Sequence, residues 1–396
     1  MPFPALQAHR PHLGGLRGAA AQEPLGLYLH IPFCRDRCTY CSFATSRNGD
    51  LKPLVLARLG AELEAWGEAL DHPTVDTVYF GGGTPSLLEP DEVAALLAEA
   101  QAAFDLRPVE EITLEANPGT LAPGALQRLR ALGIDRLSLG VQTLDDTLLQ
   151  RLGRIHDGAT ALDALREARA AGFQRLSADL MVGIPGQDLD RVLGDAATLV
   201  EAGATHLSVY LLDLDKACPL KAQVERGALA LPDENAVADM FEALQAELPR
   251  LGLPGYEISN YARPGEESRH NLRYWERRPY LGLGPSAASH LGSWRWTECA
   301  ALPAWIEGLG TPDVQGLSLD EELAEIPLLG LRLHRGVDWS ALRAHAATLD
   351  RLDLVERWEA QLAPFRKHGL LAWDGDRLRL TPHGMVVSNG ILQLFV

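Results

Sequence analysis

Apolar and polar positions along the chain fall into two alternating registers. Six short stretches, residues 27–31, 75–80, 112–116, 136–142, 176–181 and 206–210, read as strands. Between them, residues 54–70, 91–104, 124–132, 159–171 and 188–201 are rich in Ala, Leu and Glu at helical spacing. Repeated βα units predict a parallel sheet with helices on its outside. Six units predict an incomplete barrel, short of the full eight.

The period-two alternation inside the strands carries more. Leu27, Leu29 and Ile31 alternate with Tyr28 and His30, and Ile112 and Leu114 with Thr113 and Glu115. Leu137, Leu139 and Val141 alternate with Ser138, Gly140 and Gln142. Leu176, Ala178 and Leu180 alternate with Ser177 and Asp179, and Leu207 and Val209 with Ser208 and Tyr210. The aliphatic face meets the helices. A fully packed barrel interior would be apolar, so the polar face predicts a lumen that holds a polar ligand at the C-terminal ends of the strands.

Candidate chemistry sits just after the first strand. Three of the five cysteines, Cys34, Cys38 and Cys41, fall within eight residues, while Cys218 and Cys299 stand alone. A short loop with this spacing aims three thiolates at one centre and leaves a [4Fe–4S] cluster with one open iron. Structural zinc prefers four ligands as two separated pairs, and there is no second pair. A disulfide framework does not suit a chain with so few cysteines and no secretory signal. Gly81-Gly82-Gly83-Thr84-Pro85-Ser86 follows the second strand. Its glycines let the backbone approach a ligand closely, and it lacks the Gly-Lys-Ser/Thr ending of a phosphate loop.

Cys-x3-Cys-x2-Cys with Tyr40 before the last cysteine resembles the signature of radical S-adenosylmethionine (SAM) enzymes. His30-Ile-Pro-Phe-Cys34 narrows the resemblance to the oxygen-independent coproporphyrinogen III oxidase-like group, which includes a haem-chaperone branch. The resemblance runs from about residue 26 to the C-terminus. It implies an α/β fold: an incomplete (βα)6 radical SAM barrel with a C-terminal α+β extension that includes a small winged-helix-like domain. It implies a [4Fe–4S] cluster on Cys34, Cys38 and Cys41. It also implies SAM contacts at Tyr28, Gly82, Gly83, Thr84, Glu115, Gln142, Arg154 and Asp179. In the alternative role, Glu115 and Asp179 pair internally with Arg154 or Arg136, since an unpaired carboxylate in a lumen is costly.

Seven of the eight tryptophans lie beyond residue 270, which marks a change of module near residue 254. His270-Asn271-Leu-Arg-Tyr274-Trp275 resembles the motif of the haem-binding branch, and a histidine beside two aromatics suits haem ligation. Residues 370–373 and 377–380 flank Asp374-Gly375-Asp376, a hairpin signal. The expected organisation is a flexible tail over 1–22, a barrel over 23–253, a connecting segment over 254–310 and the winged-helix-like part over 311–396.

A net charge of −17 excludes non-specific nucleic-acid binding. No apolar run is long enough to span a bilayer, and the first ~22 residues lack the apolar core of a signal peptide. A cytoplasmic protein is expected. The resemblance implies reductive cleavage of SAM and a haem chaperone whose partners are haem, an acceptor haemoprotein (soluble or membrane-bound) and an electron donor. Phe43 stands where coproporphyrinogen oxidases have a further cysteine, so dehydrogenase activity on coproporphyrinogen III is the alternative rather than the expectation.

Overall fold

The computed structural model describes residues 3–396. The six expected strands are present: β1 (Leu25–Ile31), β2 (Val75–Gly82), β3 (Glu111–Ala116), β4 (Arg136–Gln142), β5 (Arg175–Val182) and β6 (His206–Leu211). They pair in sequence order, all parallel. Helices cover the outer face and bury the aliphatic row, with Leu27, Leu29, Val78, Leu114, Leu137, Leu176 and Leu207 all inaccessible. Aspartates start several of these helices. Asp145, Asp157 and Asp188 each accept a backbone N–H of the first turn, which satisfies donors a helix leaves free.

The sheet is wider than six strands. The short β7 (Asn260–Ala262) pairs antiparallel with β6. At the other edge β8 (Tyr280–Leu283) pairs parallel with β1, and β9 (Ala288–Leu291), β10 (Trp294–Thr297) and β11 (Asp313–Gly316) continue outward antiparallel. A second sheet holds β12 (Val337–Asp338), β14 (Arg377–Leu380) and β13 (Leu371–Asp374) in that order. β13 and β14 form the expected hairpin, with Gly375 at φ 59° in its turn.

The expected flexible tail is corrected. Within the described residues, Pro4–His9 and Leu13–Gln22 are helices packed on helix Lys52–Leu70. Ala5, Leu16 and Ala20 are buried, and Arg17 Nε donates to the Ala69 carbonyl at 2.6 Å. His9 is wholly enclosed by Trp66, Trp294 and Trp296. The segment orders because tryptophans far away in sequence supply the apolar surface that its short helices need.

A helix, Arg269–Trp275, plugs the bottom of the lumen. Glu111, wholly buried at the start of β3, accepts from the backbone N–H groups of Arg269 and His270, each at 3.0 Å. Arg175 at the start of β5 pairs with Glu111 at 2.8 Å and Asp135 at 3.0 Å, and donates to the Glu267 carbonyl. Gly26 on β1 is required here, since a Cβ would meet Arg273 Cδ at 2.5 Å. Through that gap Arg273 reaches Asp76 and the carbonyls of Pro24 and Pro279. Removing one partner of a buried ion pair costs about 3–5 kcal/mol, because the other charge is left uncompensated. Glu111→Ala should therefore lower the unfolding free energy by about 3–5 kcal/mol in urea titrations. A loss below about 1 kcal/mol would show that the floor does not depend on this charge.

Candidate functional site

The cysteine loop leaves the top of β1 and is stapled at several points. Cys34 N donates to the Ser46 carbonyl at 3.0 Å, and Cys41 N to the Cys38 carbonyl at 3.2 Å. Thr39 bonds the Leu152 carbonyl through its N–H and the Arg151 carbonyl through its hydroxyl. All three loop cysteines are half-buried and free of disulfides. Burial raises the Cys34 and Cys41 thiols, and neighbouring thiolate charge raises them further. A cationic metal group offsets that penalty, so the donor set suits iron. Among the described residues no three His, Cys, Asp or Glu side chains close around one point as a single ion requires. A cluster, ligated at separate irons, does not need them to.

Two groups face the sulfurs. Thr84 Oγ1 donates to Cys34 Sγ at 3.5 Å, and Arg154 Nη1 to Cys38 Sγ at 3.4 Å. A crevice lined by Cys38, Thr84, Asn117, Gly153 and Arg154 opens beside them. Gly82 has φ 113°, and a Cβ there would strike the His30 ring at 2.7 Å. Only glycine lets the turn lie on that ring. His30 is buried and lowered to about 4 by desolvation, hence neutral at pH 7. Its Nδ1 meets Tyr28 Oη at 3.1 Å and its Nε2 the Ala44 carbonyl at 3.4 Å.

Inside the lumen stand two carboxylates. Glu115 accepts from Tyr79 Oη at 2.7 Å and from Gly82 N at 3.1 Å, and burial raises its pKa. Asp179 is raised to about 7 by burial and by the charge of Glu115. The ion pairs that would neutralise them are not formed. Arg154 turns instead to Asn117, the Gly140 carbonyl and Cys38, and Arg136 donates to the Glu266 carbonyl. Gln142, at the end of β4, is buried with φ 72°, where the β4–β5 register breaks. A non-glycine residue in that region is strained.

Residues 28–199 match the radical SAM superfamily, and residues 317–387 match the HemN C-terminal domain. The chain is 39% identical over 380 residues to the heme chaperone HemW of Mycobacterium tuberculosis, covering 94% of both chains. It is 31% identical to the heme chaperone HemW of Lactococcus lactis, covering 95% of this chain and 98% of that one. The chain belongs to the radical SAM superfamily, in its HemW family. It is also 35% identical to the bovine mitochondrial radical S-adenosyl methionine domain-containing protein 1, over 94% of this chain and 88% of that one. The solved coproporphyrinogen III oxidase (HemN) of Escherichia coli superposes with a TM-score of 0.84 over 96% of this chain and 93% of that chain. At 24% identity this likeness is one of fold.

Against that family, the geometry draws together Cys34, Cys38, Thr84 and Arg154 at the loop, and Gly82 and Glu115 beneath them. Asp179 is close enough for its charge to act on Tyr40 and Tyr79, and Tyr28 joins the group through His30. The motif around His270, in the expected connecting segment, lies on the plug helix, and His270 is wholly buried. Its Nδ1 meets Thr77 Oγ1 and its Nε2 meets Tyr274 Oη, each at 2.9 Å. Burial lowers its pKa to about 3. Neither ring nitrogen is free for iron in this arrangement: Thr77 on β2 occupies one and Tyr274, one turn along the same helix, the other. Trp275 lies under the Arg332 guanidinium at 4.3 Å, and Asn271 is in the first turn, its N–H donating to Ser268 Oγ. The residues that the sequence reading missed are His30, Tyr79 and Asn117. His30 stood inside the motif before the first cysteine, two residues from its partner Tyr28, whereas the partners of Asn117, Thr84 and Arg154, lie more than thirty residues away.

The sign of the Asp179 effect on stability follows from linkage. Its folded pKa, about 7, lies above the unfolded value. The folded state therefore holds a proton that the unfolded state has lost, and this contribution fades as pH rises toward 7. Asp179→Asn should be progressively more stable than wild type from pH 5 to pH 8, by about 1–3 kcal/mol in urea titrations of cluster-free protein. A difference independent of pH would mean that Asp179 titrates normally.

Proposed function

We propose that this chain is a haem chaperone of radical SAM type, which binds a [4Fe–4S] cluster, SAM and haem and delivers haem to acceptor haemoproteins. The observation that carries this reading is near full-length identity, 39% and 31%, to two proteins named heme chaperone HemW. Coproporphyrinogen III dehydrogenase is the weaker reading, since the likeness to that enzyme's structure is one of fold and Phe43 takes the place of its further cysteine.

Cys34, Cys38 and Cys41 are the proposed cluster ligands. When bound, a cluster with one open iron supplies an electron for the sulfonium of SAM. The chain's own residues bind and orient. Glu115, braced by Tyr79 and Gly82, offers a carboxylate to ribose hydroxyls. Tyr28, Gly83, Thr84, Gln142, Arg154 and Asp179 complete the proposed SAM pocket. Below the proposed pocket the plug helix is tied to β3 through Glu111. Haem is cargo, and His270, with Asn271, Tyr274 and Trp275, is its proposed site. The complete burial of His270 and its bond to Thr77 add a condition: the plug helix must leave the floor for His270 to reach iron. The proposed setting is the cytoplasm. No helix among the described residues is long and apolar enough to cross a membrane. The acceptor, soluble or membrane-bound, is a protein rather than nucleic acid, given the net charge of −17. A one-electron donor serves the cluster.

Anaerobic reconstitution should yield about four irons and four sulfides per chain, lost when any of Cys34, Cys38 and Cys41 becomes alanine. Glu115→Ala should keep the cluster absorption while weakening SAM binding about tenfold or more. Cluster content that survives the triple Cys→Ala change, or unchanged SAM affinity in Glu115→Ala, would count against these assignments.

Haemin should bind the wild type with a shifted Soret band, and the amides of residues 269–275 should then exchange faster with deuterium. His270→Ala should lose that band. Haem bound while residues 269–275 stay protected would remove His270 as the ligand. No haem binding at all would sink the chaperone reading.

A further inference from the structure

Asn117 lies just past β3, and its amide joins the two groups that face the cysteine sulfurs. Its Oδ1 accepts from Arg154 Nη2 at 2.6 Å, and its Nδ2 donates to Thr84 Oγ1 at 2.9 Å. The orientation of the amide is dictated by Arg154, which has only donors and so requires the oxygen on its side. Two consequences follow from proton counting. A threonine hydroxyl has one proton and two lone pairs. With the Asn117 amide donating to a lone pair, the one proton of Thr84 is left for Cys34 Sγ, at 3.5 Å. The guanidinium of Arg154 is planar, and Nη2 carries two hydrogens. One goes to Asn117 and the other to the Gly140 carbonyl. That fixes the plane and turns Nη1 to Cys38 Sγ at 3.4 Å.

We propose that Asn117 is a positioning residue, which aims Thr84 and Arg154 at the sulfurs of Cys34 and Cys38 and so sets the reduction potential of the bound cluster. The proposal rests on the cluster reading above. Hydrogen bonds to cluster sulfurs are among the factors that set its potential. A donor beside sulfur stabilises the more negative, reduced state, so its loss makes reduction harder. Asn117 touches neither sulfur. Its influence passes through the orientation of Thr84 and Arg154, as outer residues orient the ligands of metal sites.

The test is the midpoint potential of the reconstituted, SAM-free cluster, followed by electron paramagnetic resonance during reductive titration. Thr84→Val removes the donor to Cys34 and should shift the potential to more negative values. Asn117→Leu, neutral and close in shape, should shift it further, because Arg154 is released as well. The double variant should match Asn117→Leu, since Thr84 is already misdirected there. Full additivity, or a wild-type potential in Asn117→Leu, overturns the proposal, because coupled groups do not add. Should Asn117→Leu fail to fold, Asn117→Asp serves instead. Its carboxylate keeps Arg154 but has no proton for Thr84, whose hydroxyl then turns away from Cys34. The negative shift from Asn117→Asp should shrink in the Thr84→Val background, and an equal shift in both backgrounds overturns the proposal. A wild type that takes up no cluster overturns both this proposal and the cluster reading. A cluster whose potential ignores Asn117 overturns this proposal alone.

Discussion

A single buried carboxylate organises the lower half of the molecule. Glu111 has no exposure to solvent, and a lone ionised carboxylate in such a place is not tolerated. The chain surrounds it with Arg175 and with the leading N–H groups of the helix at Arg269–Trp275. The helix is thereby drawn under the barrel, and His270 is carried into a slot between Thr77 and Tyr274. Its ring lies 5.1 Å from that of Tyr79, which in turn holds Glu115. One buried charge thus reaches the proposed SAM pocket through a short series of contacts.

Floor and mouth of the lumen follow opposite rules. At the floor, the charges of Glu111 and Arg175 are matched by partners. Toward the mouth, Glu115 and Asp179 are raised in pKa, and the nearby arginine is committed elsewhere. Carboxylates whose pKa is raised inside a cavity are candidates for a ligand-facing role.

Much of this was legible from residue order. The alternation Leu27, Leu29, Ile31 against Tyr28, His30 survives as a helix-facing row and a lumen-facing row, because side chains of a strand point to opposite faces whatever the strand's neighbours. The cysteine spacing was legible for a similar reason, since it is local. What escaped notice depends on distant partners. β7 to β11 are three or four residues long, too short to show a period. The N-terminal helices carry only a few apolar residues and are ordered by Trp294 and Trp296, nearly three hundred positions away. The burial of His270 was not legible, because its motif contains nothing of Glu111 or Thr77, the two residues that hold it in the floor.

The pairing of β8 with β1 bears on biosynthesis. β1, which leads into the cysteine loop, is flanked by β2 on one side and by β8 on the other, with Tyr280 beside Gly26. The two strands are separated by roughly 250 residues of chain, so one edge of β1 stays open until most of the polypeptide has emerged from the ribosome. Such long-range pairing is slow to form and leaves an unsatisfied strand edge exposed meanwhile. The strand that leads into the cysteine loop is therefore translated early but gains its second neighbour late.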